Sequence, residues 1–454
     1  MRPLSRRRGA KRALVALGVL FAALAGCGSE EKPAATSTPG ASRTVPATAT
    51  VQASPTLPPT ATPSATPGPP PDLGARPGAV WNFALVGHEP VGFAGSLGGL
   101  ALKGDCAYVG SYAPAFHIVD ISDPSRPALV RSVQMPAGSR PVELRTVPDL
   151  NLLVVAGLGA KRLLTYDVSN CQQPTPLGAL DLAVQPHEFF LWRNGPKVLA
   201  YIAAFDTGPP SLLVVDLSDP AAPVEAARWT AAEDGAQGIL HSLSVSADGG
   251  IAYLALWNGG FLVASVDLPQ IAIERAADGS FAPALLPNVH SAVPMRDPRF
   301  VLLASEVFRC PFAGIAVADV SDPSHPKVAS RFTLPENRCT DLPSPDAYFT
   351  PHNPLIAGSM AFVSWYAAGV QAVDLSDPAA PKRAGQFVPT GEGAPGVGPL
   401  GSYPVQMFSY PILRDGLLYV VDSQTGLYVL RYTGPGADAL QTLGLAEGNI
   451  VDRR

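Results

Sequence analysis

The sequence predicts an all-β protein, a seven-bladed β-propeller whose blades each have four strands. Two observations carry most of this prediction. A similar sequence motif recurs roughly every 50 residues, and this period is typical of propellers and solenoids. Within each period the sequence reads as short β-rich runs separated by turn residues, with no helical pattern of any length between them. The lack of helical segments disfavours leucine-rich and helical solenoids. Four strands per repeat make one propeller blade, so the pattern favours a propeller.

The recurring line ends in an aspartate-proline turn. The nine residues VDLSDPAAP occur identically at 215–223 and at 373–381. A marker aspartate occupies the same place in six copies: Asp120, Asp167, Asp216, Asp267, Asp319 and Asp374. In such a turn the carboxylate accepts hydrogen bonds from nearby backbone N–H groups, while proline fixes φ. We interpret the repeated segment as the end of a third strand and the turn into the fourth; a duplicated binding motif is the alternative.

The strand runs locate the blades. In the fourth unit, 241–248, 251–257 and 261–268 are β-rich runs broken by turns of Gly and Asn. By the same pattern the seven blades begin near Ser96, Val142, His187, His241, His290, His352 and Met407. The last blade ends after its third strand, at 427–432. Segment 81–90 is predicted to supply the missing outer strand and to close the ring, which removes exposed sheet edges.

The repeated line IVD-SDP-P resembles the LVIVD-repeat family of bacterial β-propellers over about residues 78–433. Residues 350–381 also resemble a common segment of surface-anchored members of that family. The resemblance implies the propeller fold. It implies no single reaction, because one fold supports many functions.

The N-terminus reads as an export signal. A basic start precedes the apolar segment 13–24, which is too short to span a bilayer as a helix. The residues Leu24-Ala25-Gly26-Cys27 then resemble the bacterial lipobox, in which a peptidase cuts before a lipid-modified cysteine. This predicts a lipoprotein signal over 1–26 with lipidation at Cys27. An ordinary secretory signal with a coincidental cysteine is the alternative.

Two further segments flank the predicted propeller. Residues 27–77 are rich in Pro, Thr, Ala and Ser and lack apolar periodicity, which predicts a disordered, extended tether. Residues 434–454 are assigned as a C-terminal tail. The organisation predicted is thus a signal peptide, a linker, a propeller over 78–433 and a tail, held outside the cytoplasm at a membrane by the lipid anchor.

Charge excludes one class of function. The chain has a net charge of −5, and removal of residues 1–26, which carry six positive charges and no acid, leaves about −11. Binding of nucleic acid requires a basic surface. The expected partners are therefore the membrane, through the anchor, and a protein or small-molecule ligand.

Four cysteines remain besides Cys27. An even number in an exported protein predicts two disulfides. Cys310 and Cys339 follow the second and fourth strands of the fifth blade, on one face. Cys106 and Cys171 fall on the other face, in adjacent blades. We expect pairs 310–339 and 106–171.

Histidines supply the main functional hypothesis. His187, His241, His290 and His352 begin the first strands of four consecutive blades, and first strands line a propeller's axis. Imidazoles at one level around the axis would hold a divalent transition metal such as Zn, Cu or Fe. Four-His metal centres on a propeller axis occur in other propeller enzymes, an analogy only. Polar contacts between neighbouring blades are the alternative.

Other residues are expected at the same face. Glu306, at the end of a second strand, would ligate the metal or orient a histidine. Asp206 and Asp422 hold similar strand-end positions, and Trp257, Trp365 and Tyr366 would line the mouth of a pocket. Packing between blades is the alternative for these aromatic residues.

Two classes of function therefore stand. The first is a lipid-anchored binding or scaffold module that recognises a protein or small ligand on its His-bearing face. The second is an extracytoplasmic metal-dependent enzyme, an oxidoreductase or a hydrolase. The sequence contains neither a phosphate-binding Gly-rich loop in a strand-to-helix context nor a GxSxG elbow. The absence of a visible nucleophile favours the first class.

Overall fold

The computed structural model describes residues 74–92, 96–204, 211–280, 285–340, 342–396, 400–448 and 450–453. The predicted signal peptide, Cys27, most of the predicted linker and Asp206 lie outside the described residues. Every described residue falls within one compact unit.

The strands follow one another in blades. Two short strands precede the first blade: β1 (Val80–Trp81) and β2 (Phe83–Glu89). The first two blades contain β3 (Leu97–Lys103), β4 (Cys106–Ser111), β5 (Ala115–Asp120), β6 (Ala128–Gln134), β7 (Arg140–Val147), β8 (Leu152–Leu158), β9 (Arg162–Asp167) and β10 (Thr175–Asp181). The third and fourth contain β11 (Pro186–Asn194), β12 (Lys197–Ala204), β13 (Ser211–Asp216), β14 (Val224–Thr230), β15 (Ser242–Val245), β16 (Ile251–Ala255), β17 (Phe261–Asp267) and β18 (Gln270–Ile273).

The later blades follow the same plan. The fifth and sixth contain β19 (Val289–Pro294), β20 (Phe300–Ser305), β21 (Ile315–Asp319), β22 (Lys327–Phe332), β23 (Pro354–Ala357), β24 (Met360–Ser364), β25 (Val370–Asp374) and β26 (Lys382–Phe387). The seventh and the tail contain β27 (Ile412–Arg414), β28 (Leu417–Asp422), β29 (Gly426–Tyr432), β30 (Leu445–Glu447) and β31 (Ile450–Arg453). Helices within the described residues are single turns: Pro148–Leu150, Pro335–Arg338 and α1 (Ala437–Leu440).

The described strands form seven antiparallel meanders, so the predicted seven-bladed β-propeller is confirmed. First strands of neighbouring blades contact one another around the axis, and fourth strands lie outside. Apolar side chains fill the space between consecutive sheets; Phe189 and Leu213 of the third blade, for example, share a cluster with Val154 of the second. Burial of apolar surface at about 25 cal/mol per Å² is the dominant stabilising term for such stacked sheets.

The N-terminal strand closes the ring as predicted. Strand β2 pairs antiparallel with β29, from Phe83 opposite Tyr432 to Glu89 opposite Leu427. The prediction of 81–90 was slightly too long, because Trp81 belongs to β1, which pairs with β26 of the sixth blade. Closure therefore links both of the last two blades to the start of the domain.

The C-terminal residues, predicted only as a tail, form two further strands that pair with inner strands of the propeller. Strand β30 pairs with β27, the innermost strand of the seventh blade, and β31 pairs in parallel with β11, the innermost strand of the third. These inner edges face the axis, so β30 and β31 lie in the central channel. Gly448 joins the two strands next to the Pro354 carbonyl and the Tyr410 ring, where a side chain would collide with both.

Both predicted disulfides are present. Cys106 and Cys171 join the first two blades, with their Cα atoms 5.9 Å apart. Cys310 and Cys339 join two loops of the fifth blade, again with Cα atoms 5.9 Å apart. Two disulfides are typical of proteins that fold in an oxidising compartment.

The repeated aspartates act as turn residues. Asp216 accepts a hydrogen bond from the backbone N–H of Ser218 at 2.8 Å, and Asp374 accepts one from Ser376 at the same distance. The equivalent bond is present at Asp120, Asp167 and Asp319. These turns lie on the outer part of the blades and are largely exposed, which supports the structural interpretation of the repeat.

Candidate metal centre

The four predicted histidines lie at one end of the axial channel. His187 and His290 are the second residues of β11 and β19, while His241 and His352 come just before β15 and β23. All four line the same cavity, which has a volume of about 190 Å³. His290 and His352 are buried, whereas His187 and His241 are partly exposed, so the cavity has a buried floor and a solvent-accessible side.

Irregular strand starts direct these side chains. The register of β11 with β12 shifts between Pro186 and Glu188, and that of β19 with β20 shifts between Val289 and Ser291. A β-bulge places an extra residue in one strand and re-aims the neighbouring side chains. As a result His187 and the adjacent Glu188 both reach the cavity, although regular strand alternation would send them to opposite faces.

The imidazole rings form a continuous arc. Ring centroids are 4.2 Å apart for His187 and His241, for His241 and His290, and for His290 and His352. The Nε2 atoms of His187 and His241 lie 3.0 Å apart. Two nitrogens that each bind one ion at ~2.1 Å would lie ~3.0–3.4 Å apart, depending on the bond angle. The His187–His241 pair therefore has the spacing of two ligands of one metal ion.

Hydrogen bonds at Nδ1 set the tautomers of two rings, one to a backbone carbonyl and one to a serine hydroxyl. His352 Nδ1 donates to the Phe408 carbonyl at 2.6 Å, which leaves Nε2 as the free acceptor. His290 Nδ1 lies 2.6 Å from Ser291 Oγ, and that hydroxyl donates to the His352 carbonyl at 3.2 Å. Metal-binding histidines almost always donate their second ring nitrogen in this way. Both rings are thus prepared to bind a cation through Nε2.

Two glutamates complete the cluster. Glu188 Oε1 lies 3.6 Å from His290 Nε2, and Glu306 Oε1 lies 3.9 Å from His352 Nε2. Three overlapping sets of possible ligand atoms, each within 4.8 Å of one another, combine the histidines with one of these carboxylates. Glu306 was predicted from the sequence and Glu188 was not. The sequence signal that could have identified Glu188 is its position next to His187.

Burial controls the protonation of the cluster. It raises the pKa of Glu188 and of Glu306 to about 8, so that both carboxyl groups are mostly protonated at neutral pH. Burial also lowers the pKa of His187 to about 4 and that of His352 to about 3. The metal-free cluster is therefore nearly uncharged. Neutral imidazole is the form that binds metals.

Aromatic residues enclose the cluster. The Trp257 ring stacks on His241 with centroids 4.5 Å apart and planes 24° apart. Tyr366 packs against His352 at 4.9 Å, and its hydroxyl donates to Glu306 Oε1. Both aromatic residues were predicted to line a pocket, and both line this cavity.

A buried ion pair lies next to the cluster. Arg145 is bonded to Glu143 at 2.7 Å, and both side chains are almost completely buried. The guanidinium also stacks 5.3 Å from the centroid of the Tyr410 ring, and the Tyr410 hydroxyl donates to Glu188 Oε2 at 3.3 Å. These contacts fix Glu188 from the side opposite the histidines. Arg145, Glu143 and Tyr410 were not predicted from the sequence.

Two predicted pocket residues lie elsewhere. Trp365 is fully buried between blades, in a cluster that includes Val363 and Leu334. Asp422 is also buried and accepts hydrogen bonds from the backbone N–H groups of Gln406 and Thr425, so it holds a turn of the last blade. The alternative of packing between blades therefore describes Trp365, and a turn-forming role describes Asp422.

Comparison with known proteins agrees with this fold. Three segments, 94–135, 199–231 and 312–333, match the family model described as the LVIVD repeat. No curated protein is significantly similar to the chain in sequence. The class defined by the fold and the site is thus a seven-bladed β-propeller with a His/Glu cluster in its axial pocket, and the chain carries LVIVD repeats.

Several solved structures share the architecture. Hydrazine synthase of Kuenenia stuttgartiensis matches with a TM-score of 0.50 and 13% identity, over 76% of this chain and 96% of that one. The β-propeller domain of Cps50 (Swd1) from Myceliophteria thermophila matches with a TM-score of 0.49 and 12% identity, over 75% and 98%. Sqt1 of Saccharomyces cerevisiae matches with a TM-score of 0.49 and 11% identity, over 76% of this chain and 98% of that one. At such identities the similarity concerns the fold alone.

Proposed function

We propose that this protein is a lipid-anchored, extracytoplasmic binding module that holds one divalent transition metal in its axial pocket. The observation that carries the proposal is the arc of four imidazoles, in which the Nε2 atoms of His187 and His241 lie 3.0 Å apart and two Nδ1 atoms have acceptors behind them. Imidazole suits Zn, Cu, Fe and Ni, and the buried carboxyl groups of Glu188 and Glu306 lie beside the rings.

The alternative of polar packing between blades explains less. Protein atoms hydrogen-bond to several of these groups, as they do to buried polar groups in general. Packing gives no reason, however, for four imidazoles and two carboxyl groups to be concentrated in one cavity of about 190 Å³, in three overlapping sets whose ligand atoms lie within 4.8 Å of one another. A bound cation would convert these close contacts between like groups into metal–ligand bonds.

Metal analysis tests the proposal. The full-length protein, purified without chelators, is expected to contain about one transition-metal ion per chain. Inductively coupled plasma mass spectrometry measures this content. His241→Ala and His290→Ala should each reduce the metal content strongly and leave the circular dichroism spectrum of the fold intact. His325→Ala is the matched control, because His325 is exposed, in the turn between β21 and β22, and does not line the cavity. Equal metal content in all four proteins would contradict the proposal.

The location is supported by two features. The lipobox resemblance ends at Cys27, and the two disulfides suit an oxidising compartment. No helix within the described residues has the length and apolar character needed to cross a bilayer. Cys27→Ser should abolish acylation and leave unprocessed precursor, as detected by labelling with a palmitate analogue. Normal processing and labelling of that variant would refute the lipoprotein assignment.

A metal-dependent enzyme is the second candidate. Structural metal sites are closed, whereas catalytic sites keep a position open for substrate or water. The space beside the imidazoles favours an open position, and the Tyr366–Glu306 pair offers a group that exchanges a proton. Nitric oxide, a neutral diatomic ligand, should give the electron paramagnetic resonance signal of an Fe(II)–nitrosyl in the iron-loaded protein. The absence of that signal in the iron-loaded protein would leave the binding module as the better account.

A further inference from the structure

The axial cavity has two chemically different sides. Its floor is polar and consists of the histidines with Glu188 and Glu306. Its upper wall is apolar: Val142, Tyr366 and Phe408 form one buried cluster, with Tyr112 and Phe308 packed against it. The polar side accounts for a metal, whereas the apolar wall is not needed to bind one.

The charges of the lining residues select against anions. Among the described residues that line the cavity, three are glutamates and none is lysine or arginine. The neighbouring Arg145 is engaged by Glu143 at 2.7 Å and lies between two aromatic rings. In the metal-free protein, an anionic organic ligand would lose its hydration and gain no free cationic side chain. Burial of an unpaired charge is strongly unfavourable, so the wall fits an uncharged molecule.

Two aromatic residues of this cavity are held in a strained backbone conformation. Trp257 has φ of 45° and Tyr366 has φ of 27°, in or beside the left-handed region that bulky residues rarely adopt. Such conformations are unfavourable and concentrate at ligand sites. Each is fixed by backbone hydrogen bonds to the next blade, Trp257 with Val289 and Tyr366 with Met407. The strain holds both rings against the imidazoles.

The available volume matches one ring. A cavity of about 150 Å³ lined by apolar residues binds benzene, and the cavity here measures about 190 Å³. The rings of Tyr112, Phe308 and Phe408 line the apolar part, and the centroids of Tyr112 and Phe308 lie 5.2–6.1 Å from those of neighbouring aromatic rings. A bicyclic or longer molecule would extend into solvent.

We infer that the pocket binds one small uncharged aromatic molecule of the phenol class. Its ring lies against the wall formed by Val142, Phe308 and Phe408, and its hydroxyl group faces the His/Glu floor. The inference rests on the proposed function for the position of the hydroxyl, which lies next to the metal. The ring contacts are independent of the metal.

Calorimetric titration of the full-length protein, with its metal removed by a chelator, tests the ligand class, because benzoate then has no cation to pair with. Phenol is the probe, benzoate has the same ring with a negative charge, and cyclohexanol has the hydroxyl without the aromatic ring. We expect saturable binding of phenol with one site per chain, binding of cyclohexanol at least several-fold weaker, and no detectable binding of benzoate. Benzoate binding as tight as phenol binding, or no binding of phenol, would overturn the inference.

A cavity-filling variant tests the location. Val142→Phe places a ring where the ligand ring would lie, so phenol binding should weaken at least tenfold while the metal content stays the same. Val130→Phe is the matched control, because Val130 is an exposed valine on β6. Phe408→Leu, which trims the wall without filling it, should weaken phenol binding less. Unchanged phenol affinity in both wall variants would refute the site.

The same experiment separates the two proposals. If the protein holds a metal and binds no phenol, the ligand class is wrong and the metal site stands. If it holds no metal but binds phenol, with Val142→Phe blocking it, the ligand inference stands and the metal proposal fails.

Discussion

The outer turns and the axial strand starts of this propeller differ in one informative respect. At the outer turns the same chemistry recurs: the bond from the marker aspartate to the backbone two residues later is 2.8 Å at Asp120, Asp216 and Asp374. At the axial starts the chemistry changes from blade to blade. Four consecutive blades start with histidine, and the other three have Ser96, Val142 and Met407 near that position.

The difference shows where function lies in a repeated fold. A feature that every blade needs is repeated, because each blade must make the same turn to stack on its neighbour. A feature that one site needs breaks the repeat. The four histidines and the two glutamates come from the third to the sixth blades, whereas Val142 and Phe408 of the apolar wall come from the second and the seventh. Changes in the repeated parts of the blades should therefore alter stability, whereas changes at the axial site should alter binding.

The largest effect should come from opening the ring. Deletion of residues 80–89 removes β1 and β2, exposes β29 and removes the contact of Phe83 with Tyr432 at 5.3 Å between ring centroids. The loss should approach the whole folding free energy, about 5–15 kcal/mol for a domain. Thermal unfolding followed by circular dichroism measures it. Deletion of residues 32–71, in the predicted linker, should leave the melting temperature unchanged, and equal effects of both deletions would contradict the closed ring.

Removal of one axial histidine should abolish tight metal binding. His290→Ala removes a ligand whose ring lies 4.2 Å from both neighbouring rings, so the metal dissociation constant should rise by roughly 100-fold or more. Competition with a chromophoric chelator measures that constant. Glu306→Gln keeps the shape of the side chain and should weaken binding less. An affinity that these variants do not change would place the metal elsewhere.

Metal affinity should depend on pH through the carboxyl groups. Burial raises the pKa of Glu188 and Glu306 to about 8, and a carboxyl group must lose its proton to bind a cation. Affinity should therefore fall as the pH is lowered through about 8, and protons should be released on binding at pH 7. Burial lowers the pKa of His187 to about 4, below the value of ~6.5 for a free imidazole, so the protonation of this ring contributes only at lower pH. Calorimetry in two buffers of different ionisation enthalpy counts the released protons, and a release of none at pH 7 would be inconsistent with ionising carboxyl ligands.

The C-terminal strands should contribute stability without metal affinity. A chain that ends at residue 443 lacks β30 and β31, which pair with the inner strands of the seventh and third blades. We expect a loss of roughly 2–4 kcal/mol from the missing backbone hydrogen bonds, at about 1 kcal/mol each. Metal content should stay the same, because no residue of β30 or β31 is among the described residues that line the cavity with the histidines. A coupled loss of metal would show that the tail supports the site.

The smallest effect should come from a single outer turn. Asp216→Ala removes one hydrogen bond to the Ser218 N–H at an exposed position, which should cost about 1 kcal/mol of stability or less. Denaturant unfolding measures the change. Neither metal content nor phenol binding should change. A loss of either in this variant would break the distinction between repeated turns and the axial site.

Local sequence patterns predicted the blades because each strand is a β-rich run between turns. They also predicted β2, whose partner lies more than 300 residues away, because the last blade lacked an outer strand. The start of that blade near Met407 was less accurate: Met407 forms an isolated bridge to Tyr366, and β27 begins at Ile412. Residues 407–411 are instead used for contacts such as the Phe408 carbonyl with His352.

The parts that could not be predicted depend on tertiary contacts. Glu188 follows His187 directly, and strand alternation assigns the two to opposite faces; the bulge that brings both to the axis has no local sequence signal. Arg145 and Glu143 look like ordinary exposed charges until the axis is formed around them. Strands β30 and β31 are three and four residues long and form only against inner strands of distant blades.

An anomalous-scattering crystal structure of the metal-loaded protein tests the central claim most directly. The account predicts a single strong peak in the axial pocket, with the Nε2 atoms of at least three of the four histidines at ~2.0–2.1 Å and a carboxylate or water at the remaining position. No peak in the pocket of a crystal grown with metal, or a peak at the exposed aspartates of the outer turns instead, would contradict it.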